Sequence, residues 1–311
     1  MENKNMKPKL IVILGQTATG KSDLAVEIAR KYNGEVISAD SRQVYKGLDI
    51  GSGKITKKEM KGIKHHMLDI ISPNSKTLYS VGKFQKDVNK IIEDILNRNK
   101  VPILAGGTAF YIQSIVDGIS IPEVKENEVL RQKLGKLSLE KLFAKLEKLD
   151  PERASQIDSK NKVRLIRALE IVDAIGKVPK QKTNQQYDVL QIGLKWPKEV
   201  LQKRIYQRIL SRLKPKLKSK HDMIDEVHNL HFKNKVSWKR LESFGLEYRY
   251  ISQYLKKELS KEEMIEKLNT EIWHFAKRQN TWFKKDERIK WFDLSESYKR
   301  KVDGEVRGFL K

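Results

Sequence analysis

Apolar positions along the 311-residue chain fall into two rhythms. Short, nearly unbroken apolar runs at 10–14, 35–39, 101–105 and 189–196 have strand length and stop at glycine or polar residues. Between them, apolar residues recur at helical spacing: at 23–32, at 109–118, and at Val81, Phe84, Val88, Ile91, Ile92 and Ile95 within 79–99. Strands alternating with helices predict an α/β fold with a parallel sheet. From Ile119 the rhythm changes to short helical patterns at 129–137, 139–149 and 163–176 with no clear strand, and Asp150-Pro151-Glu152 reads as a helix start. The run at 189–196 then returns to the sheet, so residues 119–186 are expected as a helical insertion between a first core part, 1–118, and a completing part, 187–311.

Two further stretches are less regular. Residues 44–64 are rich in glycine and lysine with little apolar periodicity and read as a mobile loop. Residues 262–285 place Ile265, Leu268, Ile272, Phe275, Gln279 and Trp282 along one helix face, with Lys277, Arg278, Thr281 and Lys284 on the other. Cations interleaved with aromatics suit contact with nucleotides, although Trp282 and Phe283 are expected as core.

Composition sharpens this picture. With 39% hydrophobic residues the chain can bury a core, and without cysteine it has no disulfide, thiolate metal site or thiol nucleophile. The polar start and the five-residue apolar run after it fit neither a signal peptide nor a membrane span, so a soluble cytoplasmic protein is expected. Lysine and arginine number 64 against 40 acidic residues, a net charge of +24, which favours a polyanionic partner such as nucleic acid. Part of that excess is ordered: Arg204, Arg208 and Arg212 repeat at i, i+4, i+8 on one predicted helix, a stripe expected to meet nucleic-acid phosphates. Arg164 and Arg167 share a face in the insertion. No apolar seam for a partner copy is visible, and a monomer is expected.

The densest chemistry follows the first apolar run. Gly15-Gln16-Thr17-Ala18-Thr19-Gly20-Lys21-Ser22 fits the phosphate-cradling pattern G-x-x-x-x-G-K-[ST], between a strand and a helix as that pattern requires. Backbone N–H groups there can turn onto phosphate oxygens, Lys21 adds a positive charge and Ser22 offers a hydroxyl to magnesium. The second apolar run delivers Asp40-Ser41-Arg42-Gln43 to the ends of the strands, where open α/β sheets bind ligands. Asp40 can act there as a general base, or as a helix cap or outer magnesium partner. The third run ends in Gly106-Gly107-Thr108 where many phosphate-loop enzymes place an acidic metal ligand, which argues against a small-molecule kinase. Thr108 can cap the next helix and still touch a ligand. His65 and His66 are adjacent and point to opposite strand faces with no third ligand nearby, so structural or substrate-positioning roles are expected over metal binding.

The elements GQTATGKS, ISADSRQVYKGLDIGSGK, HHMLD, GGTAFY, RLIRALEI and AKRQNTWF, in this order, resemble the tRNA dimethylallyltransferases over nearly the whole chain. The resemblance implies a P-loop-kinase-like parallel-sheet core with an all-helical insertion and a helical C-terminal part, and a tRNA anticodon stem-loop gripped between core and insertion. It implies transfer of a dimethylallyl group from dimethylallyl diphosphate to the exocyclic amine of the adenosine 3′-adjacent to the anticodon, with Mg2+ near Ser22. Gly15 to Ser22 would hold the diphosphate, with Gln16 standing where the family usually has proline. Asp40, Thr108 and Lys21 would be catalytic, and Ser41, Arg42 and Gln43 would line the base pocket. Further tRNA contacts would come from Arg131, from Val163, Arg164, Leu165, Ile166 and Arg167, from Arg249, and from Lys277 and Arg278. A relative acting on free adenine nucleotides is the nearest alternative, and the net charge favours tRNA. A GTPase-like switch would need a guanine-reading N-K-x-D sequence, which the chain lacks.

Overall fold

A computed structural model describes residues 7–75, 77–214 and 221–311. Among these residues six strands, β1 (Lys9–Gly15), β2 (Gly34–Ala39), β3 (His65–His66), β4 (Val101–Gly106), β5 (Asp188–Lys195) and β6 (Lys290–Asp293), form one parallel sheet in the order β3-β2-β4-β1-β5-β6. The four strands expected from apolar runs occupy its centre. Residues of β1 from Leu10 to Leu14 are fully buried because helices cover both faces of the sheet, which is why the run is continuous rather than alternating. The two edge strands leave no apolar run in the sequence, since His65-His66 has two residues and Lys290–Asp293 only four, with just Trp291 and Phe292 apolar.

Outside the insertion, the helices close to those expected are Lys21–Lys31, Val81–Asn97, Ala109–Val116, Lys198–Arg212 and Lys261–Phe283; inside it they are Glu128–Gly135, Leu139–Leu149 and Lys162–Ile175. Ser80 caps Val81–Asn97 by accepting from Lys83 N, and Ser260 with Glu263 forms a capping box at the start of Lys261–Phe283. The chain folds into two compact units, one that runs to Asp117 and resumes at Gln185, and a second formed by Gly118–Asn184. The second unit packs Leu134, Leu142, Leu146, Leu165 and Leu169 around its own core. Within it the buried Glu170 carboxylate takes hydrogen bonds from Asn127 N, Arg131 and Arg167. A carboxylate removed from water needs such donors.

The reading of 44–64 as a mobile loop is corrected. Val44, Tyr45 and Leu48 are buried, and Lys54 ties the loop together by donating to Tyr45 O at 2.9 Å and Asp49 at 2.7 Å. Periodicity fails here because the backbone is held by polar groups and by helices distant in sequence. His66 is structural: its Nε2 lies 2.7 Å from Glu35, a β2 carboxylate only 1% exposed that also takes a bidentate bond from Arg98 and one from Lys100 at 2.8 Å. Those donors, Arg98 first, hold Glu35 far below the usual carboxylate range. His65 Nδ1 lies 2.9 Å from Ile63 O.

Candidate active site

Register places the chemistry. Ala39 and Gly106 are partners across β2 and β4, and β1 lies next to β4, so the segments that follow all three strands open on one side of the sheet. Gly106 must be glycine, because a Cβ there would sit 2.3 Å from Ala39 O. That close approach lets Thr108 N donate to Ala39 O at 3.2 Å and Thr108 Oγ1 accept from Ser41 N at 3.1 Å. Asp40 Oδ1 accepts from Arg42 N at 2.8 Å and Gln43 N at 3.3 Å, which caps the turn carrying those side chains. Asp40 and Thr108, far apart in sequence, are thus tied through the single residue Ser41.

The P-loop forms the facing wall of the same cleft, about 980 Å³ in volume, and Asp40, Ser41, Arg42, Gln43, Thr108, Thr17 to Ser22 and Arg278 all line it. Gln16 points away and donates to Ala276 O at 3.1 Å. Thr17 N donates to Gln279 Oε1 at 2.8 Å, and Gln279 Nε2 donates to Gly107 O at 2.8 Å, so one buried carboxamide spaces the P-loop from the Thr108 segment. Lys21 Nζ donates to Gln16 O at 2.6 Å.

The arginine stripe is oriented by partners within the chain. Arg204 Nε donates to Ala18 O at 2.9 Å, Arg208 Nη2 to Thr17 Oγ1 at 2.6 Å, and Arg212 Nη1 to Gly51 O at 3.1 Å, so all three turn inward onto the cleft. The stripe borders the apolar row Leu201, Ile205 and Ile209, which is buried, so the arginine stems run along core while their heads reach the loop. Periodicity shows the stripe but not the direction in which it faces. Burial, then the neighbouring Arg212, pushes Arg208 down to about 9. Burial and Arg208 push Lys21 down to about 7, with Asp40 opposing. Cations crowded at a desolvated loop favour an anion of high charge.

This crowding has a measurable sign. An anion bound beside Lys21 favours its ammonium form, so the bound state carries more protons than the free state above about pH 7. Inorganic diphosphate binding is expected to take up protons near pH 8, with affinity falling toward about tenfold per pH unit above 7 and levelling below about 6. Calorimetry in buffers of different ionisation enthalpy reads the uptake, and an equal uptake by Lys21→Met would mean that Lys21 is not its source.

The remaining sequence-derived residues are spread out. Val163 and Arg164 are exposed on the helix Lys162–Ile175, Leu165 is buried in its own unit's core, and Ile166 and Arg167 are half-buried. Arg131 and Arg167 bind Glu170. Arg249 and Lys277 are exposed outside the cleft, and the Lys277 ammonium lies over the Trp273 ring, 5.9 Å from its centroid. Trp282, expected as core, is 40% exposed and meets Phe110 edge-on at the cleft, while Phe283 is core. Among the described residues no group of three or more His, Asp or Glu side chains could hold a metal ion. Ser22 remains as a donor, and one hydroxyl completed by phosphate oxygens and water suits magnesium.

Known proteins are similar to this chain in sequence and fold. The IPP transferase family matches residues 43–286. A tRNA dimethylallyltransferase from Halothermothrix orenii is 41% identical over 98% of this chain and 94% of the relative, and one from Caldanaerobacter subterraneus subsp. tengcongensis is 40% identical over 92% of each. A tRNA isopentenylpyrophosphate transferase from Bacillus halodurans superposes with TM-score 0.71 at 32% identity over 98% of both chains. A eukaryotic dimethylallyltransferase acting on tRNA superposes with TM-score 0.80 at 28% identity, over 96% of this chain and 78% of that one.

Proposed function

The chain belongs to the tRNA dimethylallyltransferase family, and from that premise we propose that it transfers a dimethylallyl group from dimethylallyl diphosphate to the exocyclic amine of the adenosine 3′-adjacent to the anticodon. The observation that carries this reading is the cleft with two unlike walls: a cation-rich P-loop on one side, and the Asp40 and Thr108 segments on the other. The first wall suits a diphosphate that departs, and the second an amine that must lose a proton.

In this reading Lys21, Arg208 and the amides at the start of the helix Lys21–Lys31 neutralise charge growing on the diphosphate as its bond to carbon breaks. The amine nitrogen forms the new bond to that carbon, and its proton passes to Asp40. Ser22 would hold magnesium here, and the ion would supply further charge neutralisation at the leaving group. Ser41, Arg42 and Gln43 line the base's side, and Phe110 with Trp282 offers aromatic surface against which an unstacked base or the isoprenoid can rest. Tracts that carry exposed cations outside the cleft, Arg164 with Val163, Arg249, and Lys277, are assigned to tRNA, as is the insertion 119–186 more broadly. No helix among the described residues is long and apolar enough to cross a membrane, and we place the reaction in the cytoplasm, on a monomer.

The deciding experiment incubates the protein with unmodified tRNA and labelled dimethylallyl diphosphate, in parallel with labelled ATP. Label should pass from the isoprenoid to tRNA and none from ATP. Phosphate transfer without prenyl transfer would replace this reading with a kinase.

A further inference from the structure

Residues 49–52 present four consecutive backbone amides to a single carboxylate and phenol. Glu226 Oε2 accepts from Asp49 N at 3.0 Å and from Ile50 N at 2.6 Å, and Oε1 accepts from Gly51 N at 3.0 Å. Tyr248 Oη donates to Glu226 Oε1 at 2.9 Å and accepts from Ser52 N at 3.1 Å. The two side chains come from different helices, Met223–Phe232 and Leu246–Leu255. Tyr248 is fully buried, and its ring lies so close to the backbone that a Cβ on Gly51 would be 2.8 Å from Cζ. Burial pushes the Glu226 carboxyl up while these donors pull it down. A carboxylate enclosed in this way is costly unless donors such as these satisfy it.

The gripped segment reaches the cleft. Gly51, Ser52 and Gly53 line it, Gly51 O accepts from Arg212, and Gly53 O accepts from Gln43 Nε2 at 3.3 Å, while Gln43 Oε1 accepts from Ser38 Oγ at 2.9 Å. The Gln43 carboxamide is therefore oriented by a backbone carbonyl whose own position depends on the amides before it. The P-loop is braced separately, by Gln279, Arg204 and Arg208.

We propose that Glu226 and Tyr248 are positioning residues for the RNA side of the cleft, gripping 49–52 so that Gly53 holds the Gln43 carboxamide toward the substrate base, with no role in holding the diphosphate. This deepens the proposed function and rests on it for the identity of the base. A hydrogen-bonded pair that merely stabilised the fold would disturb both walls alike. A pair that positions the 49–53 segment disturbs one.

The test uses the full chain with Glu226→Gln, Glu226→Gly and Tyr248→Phe. Hydrogen exchange should rise across 49–52 in each variant and stay unchanged across 15–22. The KM for an unmodified anticodon stem-loop should rise about tenfold in Glu226→Gln, as expected for lost bonds to a charged group, while the dissociation constant for dimethylallyl diphosphate stays within about twofold. Formate added to Glu226→Gly should restore part of the 49–52 protection. Unchanged exchange at 49–52 in both Glu226→Gln and Tyr248→Phe overturns the grip, and diphosphate affinity falling in step with RNA affinity overturns its one-sided role. A wild-type chain that fails to prenylate RNA removes the proposed function instead, and the exchange measurement still judges the grip.

Discussion

Asp40→Asn should lower the single-turnover rate of prenyl transfer by about 10²–10⁴-fold while dimethylallyl diphosphate still binds, the span expected when a positioned general base is lost. Asparagine is the informative replacement because Asp40 has a second task in the structure. Its Oδ1 accepts from Arg42 N and Gln43 N and so shapes the turn on which the base-side residues stand. The asparagine carbonyl keeps those two bonds but cannot take a proton. Asp40→Ala would remove both tasks, and its larger loss would not separate them. A near-normal rate for Asp40→Asn would leave Asp40 as a cap alone and remove it from the chemistry.

Arg208→Met should lower kcat/KM for dimethylallyl diphosphate by about 10²–10³-fold, since truncating one partner of a desolvated charged pair costs several kcal/mol. The guanidinium bonds Thr17 Oγ1 within the P-loop, and burial with two neighbouring arginines makes its charge costly until an anion arrives. Methionine keeps the aliphatic length that packs beside the apolar row, so the fold is spared. Affinity for the anticodon stem-loop, and its slope against salt, should be nearly unchanged. A flattened salt slope with intact diphosphate binding would return this stripe to the RNA phosphates.

Much of the site is legible in the sequence. Gly15 to Ser22, Asp40 and Thr108 each end an apolar run of strand length, and the ends of neighbouring parallel strands meet by geometry. Gln279 is visible only as a polar interruption of an apolar helix face, a position that more often faces solvent than spaces two loops. Trp282 misleads for the complementary reason, since an aromatic at a core-like spacing can stand at the mouth of a cleft. Residues 44–64 mislead because their order comes from Lys54, Glu226 and Tyr248 rather than from apolar spacing.

By itself the sequence determined what depends on near neighbours: the strand–loop–helix at the P-loop, the strand ends bearing Asp40 and Thr108, and the change to a helical segment after Ile119. These follow from backbone preferences and from the spacing of apolar residues within a few turns. Only the tertiary structure decided that Arg204 and Arg208 face the P-loop and Arg212 the Gly51 carbonyl, that Gln279 joins the P-loop to Gly107, and that Glu226 holds residues 49–51. Helical spacing specifies which residues share a face. It carries no information about which distant donors and acceptors that face will meet, and those partners lie 161 or more positions away for every one of the arginine contacts.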